Sequence, residues 1–279
     1  MGSLSNFSED ELLDHLCNAA YSPVATVYLA LCTADPTDAG TGASMNEKTD
    51  AQAYARTAIT FGAAAARRVT QSADVTFPQA SGNYPAAITH YAIVDSATHG
   101  AGNMLAHGAF SASFTPVTGN TPIVASGQVY VEIGASAGAG FTNYLVHKWL
   151  DLMFRNQAFS KPATYAFLSN TVLDDADVAI GDFTEVTGTS YARALVDING
   201  GASPTWSVSS GGAVSNGAIV AFPTVGAGGW TQLVAAGLID SVSGAGNVLA
   251  FDSANIVDQT AAANDIVRWP AGDFDLSLS

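Results

Sequence analysis

Six stretches of this chain return, in the same order, about half a chain further on. Leu12-Leu13-Asp14-His15-Leu16 has its counterpart in Trp149-Leu150-Asp151-Leu152-Met153, and "YSPVATVYLAL" from Tyr21 in "FSKPATYAFLS" from Phe159. "YAR" stands at Tyr54-Ala55-Arg56 and at Tyr191-Ala192-Arg193; "VTFP" ends at Pro78 and "VAFP" at Pro223. "AIVDSATHGAGNMLAHG" from Ala92 answers to "GLIDSVSGAGNVLAFD" from Gly237, and "SGQVYVEI" from Ser126 to "AGDFDLSL" from Ala271. Such a period is too long for a solenoid or propeller unit and fits a whole domain. The chain therefore reads as one domain written twice, residues 1–138 and 139–279. The seam is placed in "GASAGAG", Gly134 to Gly140, which has the composition of a flexible linker.

Each copy is expected to open with a short amphipathic helix. Leu12, Leu13, Leu16, Cys17 and Ala20 recur at helical spacing, and Leu145, Trp149, Leu152 and Met153 do the same in the second copy, broadened by Phe141, Leu150 and Phe154. Ser8 followed by Glu11 reads as a capping box. The remainder of each copy is strand and turn. "ATVYLAL", "ARTAITFG", "ITHYAIVD", "GNMLAHGAF", "TPIVA" and "QVYVEIG" are short β-branched or aromatic runs between Gly, Pro, Asn and Asp. "GAGN" at Gly100 and again at Gly244 reads as a hairpin turn, and the "FP" pairs as strand ends. The expected fold is mainly β: two tandem β-sandwich or barrel-like domains, each preceded by its helix.

Nine Lys and Arg against 24 Asp and Glu leave a net charge of −15, although only 12% of residues are charged. Ser, Thr, Asn, Gln and Gly must supply most of the polar surface. Binding to nucleic acid needs a basic stripe to neutralise phosphates, and there is none. No apolar run is long enough to cross a membrane, and the opening "MGSLS" lacks a signal-peptide pattern, so a soluble protein with no membrane partner is expected.

The residues that could carry chemistry read as scaffold. Cys17, on the helix, and Cys32, in a strand run, read as buried hydrophobes, with a disulfide between them undecided by spacing. His90, His99 and His107 would have to converge with a further ligand to hold a metal, and the second copy puts Leu233, Ser243 and Phe251 near their positions. Asp95 and Asp240, each ahead of a glycine-rich turn, read as turn carboxylates that bond their own backbone. Arg56 and Arg193 follow a tyrosine in both copies and read as fixed salt bridges or aromatic stacks. Asp174, Asp175, Asp177 and Asp182 lack EF-hand spacing and read as a solvated loop. Trp206, Trp230 and Trp269 are sugar-platform candidates whose plainer role is core packing. No nucleophile elbow, phosphate loop, zinc motif or dinucleotide fingerprint stands in a convincing context. Hence no catalytic, cofactor-binding or metal-ligating residue is assigned.

The segments "YSPVATVYLALCTADPTDAGTGASMNE", "YARTAITFGAA", "SADVTFP", "ITHYAIVDSATHGAGNMLAHGAF" and "VYVEIG" resemble a family of small structural proteins of tailed bacteriophages, the tail-fibre-like or head-decoration proteins. The resemblance covers nearly all of the first copy and, more weakly, the second, which departs from it at Ser169–Asp177. It implies a non-enzymatic virion component, assembled in the host cytoplasm, that binds other virion proteins and forms a homo-oligomer. The leading expectation is a capsid decoration (cement) protein bound to the major capsid protein. The alternatives are a tail fibre or adaptor, and a receptor- or carbohydrate-binding module.

Overall fold

The structure, a computed structural model, describes residues 2–197, 206–256 and 259–278; the outermost residues of the two copies, 1 and 279, lie outside it. It is mainly β in two sheet-rich halves with two helices, as expected. In chain order the first half carries β1 (Gly2–Leu4), α1 (Asn6–Cys17), β2 (Val27–Cys32), β3 (Thr57–Ile59), β4 (Arg68–Thr70), β5 (Val75–Thr76), β6 (Ile88–Val94), β7 (Met104–Phe114), β8 (Ile123–Val124) and β9 (Tyr130–Glu132). The second carries β10 (Ala139–Phe141), α2 (Asn143–Arg155), β11 (Thr164–Ser169), β12 (Ala194–Asp197), β13 (Ala213–Ser215), β14 (Val220–Ala221), β15 (Ala235–Ile239), β16 (Val248–Asp252), β17 (Arg268–Trp269) and β18 (Asp275–Ser277).

The chain forms two compact units. Unit 1 comprises Met1–Glu9, Ser22–Ile133 and His147–Phe159; unit 2 comprises Asp10–Tyr21, Gly134–Val146 and Ser160–Ser279. Unit 1 holds an antiparallel sheet in the order β1-β7-β6-β2-β3, with the ribbons β4-β9 and β5-β8. Unit 2 repeats this as β10-β16-β15-β11-β12, β13-β18 and β14-β17. Strand β2 is buried at almost every position, which explains why "VYLALC" does not alternate: this strand is covered on both faces. On one face Ala30, Cys32, Ala92, Val94 and Met104 pack with Met45, and in unit 2 Phe167, Ala235, Ile239, Val248 and Phe251 pack with Leu173.

Three local expectations change. Each copy opens with an edge strand, not with its helix: β1 pairs with β7, and β10 pairs with β16. Strand β10 consequently takes Ala139 and Gly140 out of the expected linker. The α1 cap is Ser5, not Ser8. The Ser8 amide donates to Ser5 Oγ at 3.3 Å, while Ser5 Oγ donates to the Met104 carbonyl and Ser8 Oγ to that of Leu105 at 2.7 Å. In α2 Thr142 does the same work, capping Leu145 N at 3.4 Å and donating to the Val248 carbonyl at 2.6 Å. Finally, Ala20 is exposed beyond the end of α1, while Leu12, Leu13, Leu16 and Cys17 are buried. The "FP" pairs do end strands, following β5 and β14, and both phenylalanines are buried.

Candidate functional site

The most densely bonded groups are the repeated arginines. Arg56 Nε and Nη2 donate to the two oxygens of Glu47 at 2.9 and 2.8 Å; Nη1 reaches the carbonyls of Ser96 and Ala101, and Nη2 also that of Gly42. Tyr54 Oη donates to Glu47 at 2.7 Å and accepts the Leu31 amide at 3.0 Å. Burial, reinforced by the Glu47 carboxylate, pushes the Tyr54 hydroxyl far above its ordinary pKa, so it remains a donor. Unit 2 repeats the cluster. Arg193 Nε and Nη2 bond Glu185 at 3.0 and 2.9 Å, Nη1 the Ser241 carbonyl and Nη2 that of Gly244, while Tyr191 joins Glu185 to the Leu168 amide. Each cluster ties strand β2 or β11 to the glycine-rich turn, through a bidentate fork that lysine cannot reproduce.

The turn carboxylates act as expected. Asp95 Oδ1 and Oδ2 accept the Asn103 amide at 2.7 Å and its side-chain amide at 2.8 Å; Asp240 clamps Asn247 in the same way, at 2.7 Å for both bonds. The histidines do not converge. His90 Nδ1 meets Thr89 Oγ1 at 2.8 Å, and His99 Nε2 the Lys48 carbonyl at 3.1 Å, whereas His107 pairs with Asp38 at 2.9 Å and Asp35 at 3.2 Å. Among the described residues no three His, Cys, Asp or Glu side chains are grouped to hold a metal. In the acidic loop, Asp182 accepts the amides of Val178 and Ala179, Asp177 that of Asp174, and Asp174 that of Ala176. Cys17 and Cys32 are free thiols, both buried. Among the described residues no helix is long and apolar enough to cross a membrane.

Of the tryptophans, Trp206 and Trp230 are buried in an aromatic stack. Trp230 meets Tyr191 edge-on at 5.2 Å and donates to the Thr189 carbonyl at 3.1 Å; Trp206 packs on Phe274 at 5.7 Å. Trp269 differs. It touches Phe222 and Phe274 at 5.4 and 5.3 Å and borders a cleft of about 660 Å3 within unit 2.

Two further pairs of polar side chains escaped the sequence reading. In unit 1, Asp151 and His147 of α2 accept the amides of Ala64 and Arg67 at 2.9 and 3.0 Å. In unit 2, Asp14 and Asp10 of α1 accept those of Ser209 and Gly212 at 2.8 and 2.9 Å. These are equivalent helix positions gripping equivalent turns. Only the Asp14–Asp151 match was visible in the repeat. The carboxylates Glu47 and Glu185 were missed too, although each opens a Glu-x-Thr stretch ahead of the repeated "YAR", seven and six residues before its tyrosine.

What the two units share is thus structural: caps, turn clamps, ion-pair locks and helix grips. That defines the class, a duplicated β-rich structural module. The chain belongs to the family described as podophage GP4 fiber I protein gp80, whose model matches residues 3–132 and, a second time, residues 140–277. It is accordingly a phage virion structural protein of fibre-like type, and both copies carry the family pattern. No curated protein matches the chain.

Proposed function

We propose that the chain is a fibre component of a tailed-phage virion, docked to other virion proteins and present as a homo-oligomer. The observation that carries this reading is the double match to a fiber protein family, once in each half. The acidic charge and the duplication suit a capsid decoration protein as well, but the family description favours the fibre. We read the role as non-enzymatic, with residues 1–138 and 139–279 as two modules that share a scaffold and differ in what their surfaces contact.

Purified virions test this directly. The expected cryo-EM density lies on the tail, and quantitative gel densitometry gives a copy number far below that of the major capsid protein. Density spread over the head lattice, in proportion to capsomers, would instead support the cement reading.

A further inference from the structure

The two units differ sharply at one place, the gap between the first strand of each sheet and the last strand of the copy. In unit 1 this gap is closed. Gly2 and Tyr91 both stand opposite Gly108 in the sheet register, and the Tyr91 hydroxyl crosses to donate to the Tyr130 carbonyl of β9 at 2.9 Å. Phe110 packs on Tyr91 at 5.3 Å, and the Arg68 guanidinium covers the Tyr130 ring at 4.1 Å. A Cβ on Gly2 would overlap the Tyr130 carbonyl, so β1 and β9 have no room between them.

In unit 2 the same register positions hold different residues. Ala139 and Ala236 stand opposite Asp252, so tyrosine has become alanine and the facing glycine an aspartate. Two residues beyond Asp252 stands Ala254, where Phe110 lies two beyond Gly108. The space between β10 and β18 is a cleft of about 660 Å3, within the roughly 300–1,000 Å3 of ligand sites, and Ala139 and Asp252 are in its lining. Half-buried Trp269 and Phe274 border it, with half-buried Asp252 and exposed Asp273, Asp275 and Asn255. No Lys, Arg or His is among the described residues that line it.

We infer that this cleft is a docking slot for an extended, basic polypeptide segment of a partner protein. Two strands flank the slot, β10 at the edge of the five-stranded sheet and β18 paired with β13. A slot walled by strands suits a third extended chain laid between them. Three carboxylates and two aromatic faces favour ammonium and guanidinium groups, by charge and by cation–π attraction. A neutral saccharide would use the rings and leave the carboxylates without a counter-charge. This inference stands apart from the fibre reading, since it is decided on the purified protein and not on the virion.

The test uses the full-length chain at physiological salt, with a fluorescent alternating Lys-Val peptide followed by anisotropy. Saturable binding is expected, with no competition from a Glu-Val peptide or a neutral oligosaccharide. Asp273→Asn with Asp275→Asn, both at exposed positions, should weaken binding by about tenfold or more, as loss of paired charges at an interface does. Val117→Lys with Ile123→Lys makes the same change in net charge on exposed positions of unit 1 and should leave binding unchanged. Equal weakening by both double variants would show attraction to the overall acidity and overturn the assignment. So would absence of peptide binding, or displacement of the peptide by the oligosaccharide.

Discussion

A guanidinium has five N–H donors, and Arg56 places all five: two on Glu47 and three on main-chain carbonyls. Its side chain is fully buried and that of Glu47 is 5% exposed, whereas Glu185, the partner of Arg193, is 20% exposed. Removing the cation from a buried pair strands a carboxylate away from water, at about 3–5 kcal/mol. Arg56→Met is therefore expected to cost stability in that range and Arg193→Met distinctly less, as water reaches Glu185. Urea denaturation of the two variants measures the difference. His147 supplies a pH dependence. Its Nε2 accepts the Arg67 amide, which requires the neutral ring. Burial holds its pKa below the ordinary histidine value; Asp151 opposes the shift and Arg67 reinforces it. The unfolded chain thus takes up this proton first, so the contribution is complete above the ordinary histidine pKa and is lost as pH falls below it toward the folded value. Asp10, the equivalent residue in unit 2, is a carboxylate and not an imidazole. Thermal melts between about pH 7.5 and 5 should show less acid loss in His147→Gln, whose side-chain oxygen can still accept the amide. Parallel pH profiles for the two proteins would remove His147 from this role.

The elements differ in how openly the sequence announces them. Strands β2, β6 and β7 were legible because runs such as "ITHYAIVD" combine β-branched and aromatic residues between turn-formers. The glycine-rich turns were legible because Asp95 and Asp240 precede the same "GAGN". Strands β1 and β10 were not, since three residues cannot display a period of two. The helix stripes were legible, but a stripe only says that Leu12 or Trp149 must be buried, not in which unit. The cap was misplaced because Ser5 and Ser8 both suit an N-cap, and only the sheet decides. Ser5 is the cap because β1 ends at Leu4 and the helix begins at Asn6, which leaves Ser8 inside the first turn with its amide on Ser5 Oγ and its own hydroxyl on the Leu105 carbonyl. The same limit applies to the candidate site. Arg56 and Arg193 could be found by their recurrence, whereas the unit 2 cleft lies where the copies diverge, with Ala139 and Asp252 at the register positions of Gly2 and Gly108.

At the scale of the molecule, the membership of the units is the unusual property. Neither unit is built from one copy. Unit 1 takes His147–Phe159 from the second copy, and unit 2 takes Asp10–Tyr21 from the first. Each borrowed segment is anchored within its unit. Asp151 and His147 hold the Ala64–Arg67 turn, with Phe154 on Phe61 at 5.6 Å; Asp14 and Asp10 hold the Ser209–Gly212 turn, and Asn18 donates to the Ser207 carbonyl. Such reciprocal exchange is what two separate chains do when they swap an identical element, and fusion makes the exchange intramolecular at high effective concentration. Leu12, Leu13, Leu16 and Cys17 are buried on one exchanged segment, and Trp149, Leu150, Leu152, Met153 and Phe154 on the other. The within-unit bonds of each segment, two main-chain amides accepted by helix side chains at roughly 1–3 kcal/mol each, contribute a few kcal/mol to retention. The covalent link across residues 134–138 should therefore be dispensable once the protein has folded. A protease site inserted there and cut in the folded full-length protein is expected to leave both pieces together in native mass spectrometry and gel filtration, parting only in denaturant. If the pieces separate under native conditions, each still folded, the helices are not exchanged and each copy closes on itself.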